Sequence, residues 1–171
     1  LARARGGECV KKRRGQAPPR VVRCAGGSRW TLPPQLQDGA VIQVARGVKL
    51  EQPIHLIFAA SGELDGKVIP VRVLILAEEG SSSSVVERYV GLTDEEYLTS
   101  AITEVVLSEG ASLEHTKIGL ESKSAFHVGI FQAEIGTNAR LISNVFNFGG
   151  KLVRNEFNPK LSGEGIEALL N

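Results

Sequence analysis

Three histidines are the side chains of this sequence best suited to acid–base chemistry or metal binding: His55, His115 and His127. Glu114 precedes His115, and neighbouring side chains of a strand point to opposite faces, so these two would not act together. His115 and His127 could share a metal ion across adjacent coils, yet no ligand pattern surrounds them. No G-x-S-x-G nucleophile elbow occurs. We predict no catalytic residue and no metal site, and we expect structural or surface roles for the histidines.

Two glycine motifs are similar to nucleotide-binding loops but do not complete the pattern. Gly149-Gly150-Lys151 would need a glycine five places before its Gly-Lys and a Ser or Thr after it, where Val145 and Leu152 stand. Residues 163–168 fit the dinucleotide fingerprint loosely, and Glu164 would repel a pyrophosphate. The sequence therefore predicts no bound nucleotide, and it identifies no cofactor-binding residue.

Composition and charge narrow the class of protein. The 171 residues suit one domain, 42% of them are hydrophobic, and no apolar run approaches the roughly 20 residues of a membrane helix. The net charge of +1 averages two unlike parts, since residues 1–30 carry +8 and the remainder carries −7. The absence of Met and the apolar residues that close the sequence indicate a piece of a longer protein.

The basic head, residues 1–36, shows no apolar periodicity and is predicted to be irregular or disordered. Its run of four cations at Lys11–Arg14 is also compatible with an arm for nucleic acid, and its Arg-rich, acid-poor composition with a transit peptide. Cys9 and Cys24 lie fifteen positions apart without a nearby histidine, which is not the spacing of a zinc site. We interpret them as unpaired thiols.

From residue 37 onward, short apolar segments rich in Val, Ile, Leu and Phe predict β-strands separated by Gly, Ser, Asn or Asp. Thr103, Val105 and Leu107 would share one face. Thr93–Glu96 is predicted to form a single turn or a loop with solvated acids. The predicted strands are Ala40–Ala45, Ile54–Ala60, Val71–Ala77, Ala101–Leu107, Ser112–Leu120, Phe126–Ala133, Leu141–Phe148 and Leu152–Phe157.

A repeated corner motif indicates how these strands are arranged. An acidic or polar residue, a glycine and a few small residues precede a new apolar segment, at glycines 47, 80, 110, 136 and 163. The spacings of 33, 30, 26 and 27 residues are typical of stacked coils of sheet. We predict an all-β fold, a right-handed parallel β-helix, in which the glycines adopt positive φ at tight corners. A Greek-key sandwich is the alternative architecture.

Asparagines near the end of the sequence fit the same interpretation. In stacked coils they are expected to form side-chain ladders from one coil to the next. They are Asn144, Asn147, Asn155 and Asn158.

Several short segments carry a family resemblance over roughly residues 38–171. They are residues 51–56, 72–82, 87–91, 113–117, 125–127, 149–155 and 161–165. Together and in this order they resemble the SufB/SufD family of iron–sulfur cluster assembly proteins, and the SufD branch more than the SufB branch. SufB typically carries a Cys shortly after the glutamate that matches Glu87, whereas Arg88, Tyr89 and Val90 follow here. A thiolate would hold a nascent cluster or carry sulfur.

The resemblance implies a parallel β-helix and a non-enzymatic scaffold subunit of a SufB–SufC–SufD complex in the cytoplasm. It implies a SufB-like subunit that pairs through the β-helix, and a SufC-like ATPase that docks on a helical region beyond Asn171. The complex would assemble an iron–sulfur cluster, with no cofactor of this subunit's own and no membrane or nucleic-acid partner. A carbohydrate-active β-helix enzyme is the runner-up, but its paired groove acids are not apparent, since Glu78, Glu79 and Glu109 lie at corners.

Overall fold

A computed structural model describes residues 21–24 and 39–171, and every regular element among these residues is a β-strand. All eight predicted strands are present. Three more occur, β1, β5 and β11, and the polar residues that begin β5 and β11 hid these two from the sequence pattern. The strands are β1 (Val21–Cys24), β2 (Gly39–Val44), β3 (Ile54–Ala60), β4 (Lys67–Ala77), β5 (Ser82–Gly91), β6 (Tyr97–Leu107), β7 (Ser112–Leu120), β8 (Phe126–Ile135), β9 (Arg140–Asn147), β10 (Leu152–Leu161) and β11 (Glu167–Leu170).

The strands form two sheets, and the chain alternates between them. One sheet has the order β1-β2-β4-β6-β8-β10 and the other the order β11-β9-β7-β5-β3. The described pairings are parallel, so each coil of chain stacks on the preceding one in register. This arrangement confirms the predicted parallel β-solenoid and is not the antiparallel sandwich that was the alternative.

Glycines with positive φ occupy the predicted corners at the start of the stack. Gly47, Gly80 and Gly110 have φ angles of 69°, 64° and 65°. An L-residue with a Cβ is strained in this left-handed conformation, so glycine is preferred there. The corner role predicted for these three residues is confirmed.

The next two corners differ from the prediction. Gly136 and Gly163 do not adopt positive φ, and the left-handed positions are Asn138 (φ 54°) and Gly165 (φ 65°). Asparagine tolerates this conformation better than most residues with a Cβ. Gly163 is needed for another reason, because a Cβ there would lie 2.5 Å from the backbone nitrogen of Thr137.

The space between the two sheets is filled by alternate residues of each strand. In β6, the prediction that Thr103, Val105 and Leu107 share a face is confirmed, since all three are buried. The apolar core lies where β4, β6 and β8 lead into the corners and where β7 and β9 leave them. It contains Val73, Ile75, Val105, Leu107, Leu113, Ile135 and Leu141.

The basic head lies mostly outside the described residues. Within it, Val21–Cys24 forms a strand, not irregular chain, and pairs in parallel with β2. The remainder of residues 1–36, with Cys9 and the Lys11–Arg14 run, is not described, so the predictions made for it stay predictions.

Two smaller expectations can be compared with the structure. Thr93–Glu96 forms a loop between β5 and β6, as predicted. The side-chain ladder predicted for the asparagines is present at Asn144, which accepts a hydrogen bond from Asn171 on the next coil. Asn155 instead accepts a hydrogen bond from Lys117. Among residues 21–24 and 39–171, no helix has the length and apolar character required to cross a membrane.

Candidate functional site

Five ionisable side chains meet inside the solenoid beside the apolar core, and we call them the interior polar cluster: Glu87, His115, Lys117, Glu121 and His127. All five are buried. Strand periodicity places most of them there. The side chain of Leu113 points inward on β7, so those of His115 and Lys117, two and four residues later, do as well. Glu87 on β5 lies directly opposite Lys117 in the parallel register.

Glu87 is fully buried, and its carboxylate accepts three side-chain hydrogen bonds. The donors are Tyr89 Oη at 3.0 Å, Thr103 Oγ1 at 3.0 Å and His115 Nε2 at 3.2 Å. Burial raises the pKa of the Glu87 carboxyl, but the His115 hydrogen bond and the charges of His115 and Lys117 outweigh burial. The pKa is lowered below its ordinary value, so Glu87 is ionised.

His115 is held at both ring nitrogens. An ionised carboxylate only accepts hydrogen bonds, so Nε2 carries the hydrogen that it donates to Glu87. Nδ1 lies 2.9 Å from Ser143 Oγ on β9. The ring also packs on Phe131, with centroids 4.8 Å apart. Glu87, His115 and Ser143 are therefore connected in a row that crosses three coils of one sheet.

Glu121 and His127 form a second carboxylate–histidine pair. Glu121 follows β7 and also accepts a hydrogen bond from Thr99; its Oε2 lies 2.6 Å from His127 Nδ1. The rings of His127 and Tyr89 pack edge to face, with centroids 4.8 Å apart. His127 Nε2 is buried and has no hydrogen-bond partner among the described residues. Within the interior polar cluster, this nitrogen is thus a buried polar atom whose hydrogen-bonding capacity is unused among these residues.

Lys117 is the cation between the two pairs. Its Nζ donates a hydrogen bond of 2.8 Å to Asn155 Oδ1 and lies 5.1 Å from the centre of the Tyr89 ring. Burial lowers the pKa of Lys117 to about 8, although the charges of Glu87 and Glu121 act in the opposite direction. A lysine this deeply buried is therefore only weakly held in its charged form.

Two glycines make room for the cluster. A Cβ at Gly129 would lie 2.3 Å from Lys117 Nζ and 3.3 Å from His127 Nε2. A Cβ at Gly149 would lie 1.9 Å from the backbone oxygen of Glu121. The Gly-Gly-Lys motif, rejected above as a phosphate loop, thus has a packing role. Its Lys151 pairs with Glu96 at the surface.

The row Ser143–His115–Glu87 is similar in composition to a hydrolase triad, but its surroundings do not suit hydrolysis. Ser143 has no exposed surface. The cavity beside His115 and Lys117 measures about 10 Å³, which is the room required by one water molecule. An acyl substrate has no space next to the serine hydroxyl. The arrangement can hold charges and protons in a dry interior, and it offers no binding cleft.

The three histidines singled out in the sequence lie in different surroundings. His115 and His127 both point inward, and each faces a glutamate; His55 is half-buried on β3. No group of three or more metal-ligating residues occurs among the residues that the structure describes. Sequence reasoning missed the inward positions of Glu87 and Lys117. Extending the two-residue period from Leu113 would have found Lys117.

Comparisons of the sequence with a family model and with curated proteins indicate the same family. The family described as the SufBD core domain of the SUF system for FeS cluster assembly matches residues 58–171. The chloroplastic protein ABCI7 of Arabidopsis thaliana is 33% identical over 134 residues, which are 74% of this chain and 28% of that protein. SufD of Escherichia coli is 27% identical over 133 residues, 76% of this chain and 31% of SufD.

An iron–sulfur cluster assembly SufBD family protein of Synechocystis is 24% identical over 127 residues, which cover 70% of this chain and 28% of that protein. The chain thus spans less than a third of the length of these curated relatives. No solved structure matches. The match to the family extends over more than half of the chain, from β3 to β11, and includes the whole interior polar cluster. The chain belongs to the SufBD family of iron–sulfur cluster assembly proteins.

Proposed function

We propose that this chain acts as a SufD-like scaffold subunit, without catalysis of its own, in a cytoplasmic complex with a SufB-like subunit and a SufC-like ATPase. The complex assembles an iron–sulfur cluster, which is its product and not a cofactor resident in this chain. The proposal rests on family membership, on the relative named SufD, and on the chemistry of the interior described above.

The observation that carries the SufD-like assignment is the absence of thiols from strands β2 to β11 and the chain between them, residues 39–171. Both cysteines of the sequence, Cys9 and Cys24, precede residue 39. On β5, the position two residues after Glu87 holds the fully buried Tyr89, which donates its hydroxyl hydrogen to that carboxylate. A sulfur-accepting or cluster-holding role requires a thiolate. Residues 39–171 offer carboxylates, imidazoles and an amine instead.

The parallel stack supports a scaffold role on physical grounds. Its sheets are paired in register along whole strands, and alternate side chains fill the interior. Such a stack presents its outer faces and end strands in fixed positions to other subunits, and extended partners bind sheet edges through main-chain hydrogen bonds. The mechanism is positional, with the reactive groups supplied by the partners.

Co-purification tests the scaffold assignment. The tagged 171-residue chain is co-expressed with the SufB-like and SufC-like subunits of its source organism, and circular dichroism confirms that it is folded. We expect a complex that survives size-exclusion chromatography. A folded chain that elutes alone at low and at physiological salt would contradict the assignment.

A thiol-free variant separately tests the proposal that this chain has no catalytic role. Cys9→Ser combined with Cys24→Ser removes every thiol from the sequence. We expect cluster assembly by the reconstituted complex to continue at the unaltered rate, followed by the absorbance of the cluster. A loss of assembly that leaves complex formation intact would show that this chain carries sulfur.

A further inference from the structure

Lys117 is surrounded by ionisable groups from several elements. Glu87 and Tyr89 face it from β5, His127 faces it from β8, and Glu121 follows its own strand. His115 precedes it on β7, β10 contributes Asn155 and, at the cavity, Glu156, and β6 and β9 contribute the uncharged Thr103 and Val145. Two carboxylates and one amine therefore share a volume from which bulk water is excluded.

The fold leaves a specific notch for this amine. Gly129 lies opposite Lys117, and a Cβ there would lie 2.3 Å from Nζ and 2.7 Å from Asn155 Oδ1. An ammonium can donate three hydrogen bonds, and Lys117 makes one among the described residues, to Asn155. The notch thus has the size of the amine, but it leaves two of the three hydrogen-bond donors of the charged ammonium without a partner among the described residues.

The amine also has a route for its proton. The cavity of about 10 Å³ is lined by Lys117, Asn155, Val145 and Phe157, and one water molecule fits in it. Lys117 retains 7% of its accessible surface. A proton can therefore be exchanged through a single water without separation of the coils.

We propose that Lys117 is a proton switch inside the solenoid: it releases its proton while the chain stays folded, and this release stabilises the stack. Neutralisation removes the cost of holding an incompletely hydrogen-bonded ammonium in a dry interior. The carboxylates keep their other donors, since Glu87 retains Tyr89, Thr103 and His115, and Glu121 retains His127.

The direction of the pH effect follows from proton linkage. The pKa of Lys117 is about 8 in the folded chain, where burial lowers it, against the ordinary value of 10.5 in the unfolded chain. Between these values the unfolded chain binds the additional proton, so stability rises as pH increases. Burial raises the pKa of Tyr89 and that of Tyr97, the latter to about 12, so above the ordinary tyrosine value of 10.0 the unfolded phenols ionise first and stability falls again.

Urea denaturation between pH 7 and about pH 10 tests the switch. The host is the Cys9→Ser/Cys24→Ser chain, so that no thiol titrates in this range. We expect the folding equilibrium constant of the host to rise by about fourfold per pH unit between pH 8 and pH 9.5, since the unfolded chain binds up to one more proton at Lys117 and the unfolded tyrosines ionise mainly above this range. In Lys117→Met this rise should be absent, whereas Lys151→Met, which removes an exposed lysine paired with Glu96, should keep it.

Two outcomes would overturn the proposal: a flat profile in the host, or an undiminished rise in Lys117→Met. If Lys117→Met does not fold, an NMR pH titration of Lys117 in the unaltered chain tests the proposal instead. The ¹³Cε resonance of Lys117, assigned through its contact with the Tyr89 ring, should shift with a midpoint near pH 8. A midpoint above about pH 10, where exposed lysines titrate, would refute the switch.

Discussion

The apolar core and the interior polar cluster fill the same space between the two sheets with opposite chemistry. Around the corners, Ile75, Leu113 and Leu141 are buried in one apolar cluster. Further along the strands of one sheet, Glu87 and Lys117 occupy equivalent inward positions. Each apolar side chain contributes to the free energy of unfolding separately, through the apolar surface that it buries. The polar side chains depend on one another, because truncating one of them leaves its hydrogen-bond partners buried and unpaired.

The largest effect is expected when the central carboxylate is removed. Glu87→Ala leaves His115, Tyr89, Thr103 and Lys117 without their common partner. Breaking a buried ion pair in this way lowers the free energy of unfolding by about 3–5 kcal/mol. Urea denaturation at pH 7 measures the loss, and a loss below about 1 kcal/mol, typical of a surface pair, would show that the cluster is not coupled.

The apolar core provides the second comparison. Leu113→Ala removes a fully buried side chain and leaves a cavity, at a cost of about 2–5 kcal/mol. The two variants are distinguished by pH. The pKa of Glu87 is lowered in the folded chain, so its stabilisation is present above the ordinary value of 4.5 and is lost as pH falls. The loss in Glu87→Ala should therefore shrink in acid, while that in Leu113→Ala stays constant.

The same contrast explains what could be predicted from the sequence. The strands of the apolar core were predictable, because Thr103, Val105 and Leu107 alternate with residues of the outer face. β5 was not, since Glu87 inside and Arg88 outside are both charged, and alternation does not distinguish the faces. The partner of Glu87, Lys117, lies thirty positions away and is brought opposite only by the stacking register. The buried ion pairs therefore follow from topology, not from local pattern.

A smaller effect is expected at the corners, where two residue types occupy one conformation. Gly110 N bonds to Thr137 O just as Asn138 N bonds to Glu164 O, so the two corners are equivalent. A Cβ at Gly110 would meet nothing closer than 3.9 Å, hence only backbone strain opposes it. Gly110→Ala should cost about 1–2 kcal/mol, and Gly110→Asn clearly less. Equal losses in thermal or urea denaturation would show that the corner is limited by space.

The smallest effect is expected for an ion pair of the same residue classes on the outer face. Arg72 and Glu104, on β4 and β6, are joined by two hydrogen bonds of 2.9 Å, yet their side chains are 45% and 29% exposed. Water solvates both charges when the pair is broken, so Arg72→Ala should cost at most about 1 kcal/mol at pH 7. Raising the salt concentration to about 1 M should remove most of this difference by screening, while the loss in Glu87→Ala persists because its groups are buried. A salt-resistant loss of several kcal/mol in Arg72→Ala would mean that depth in the solenoid does not decide what a charge pair contributes.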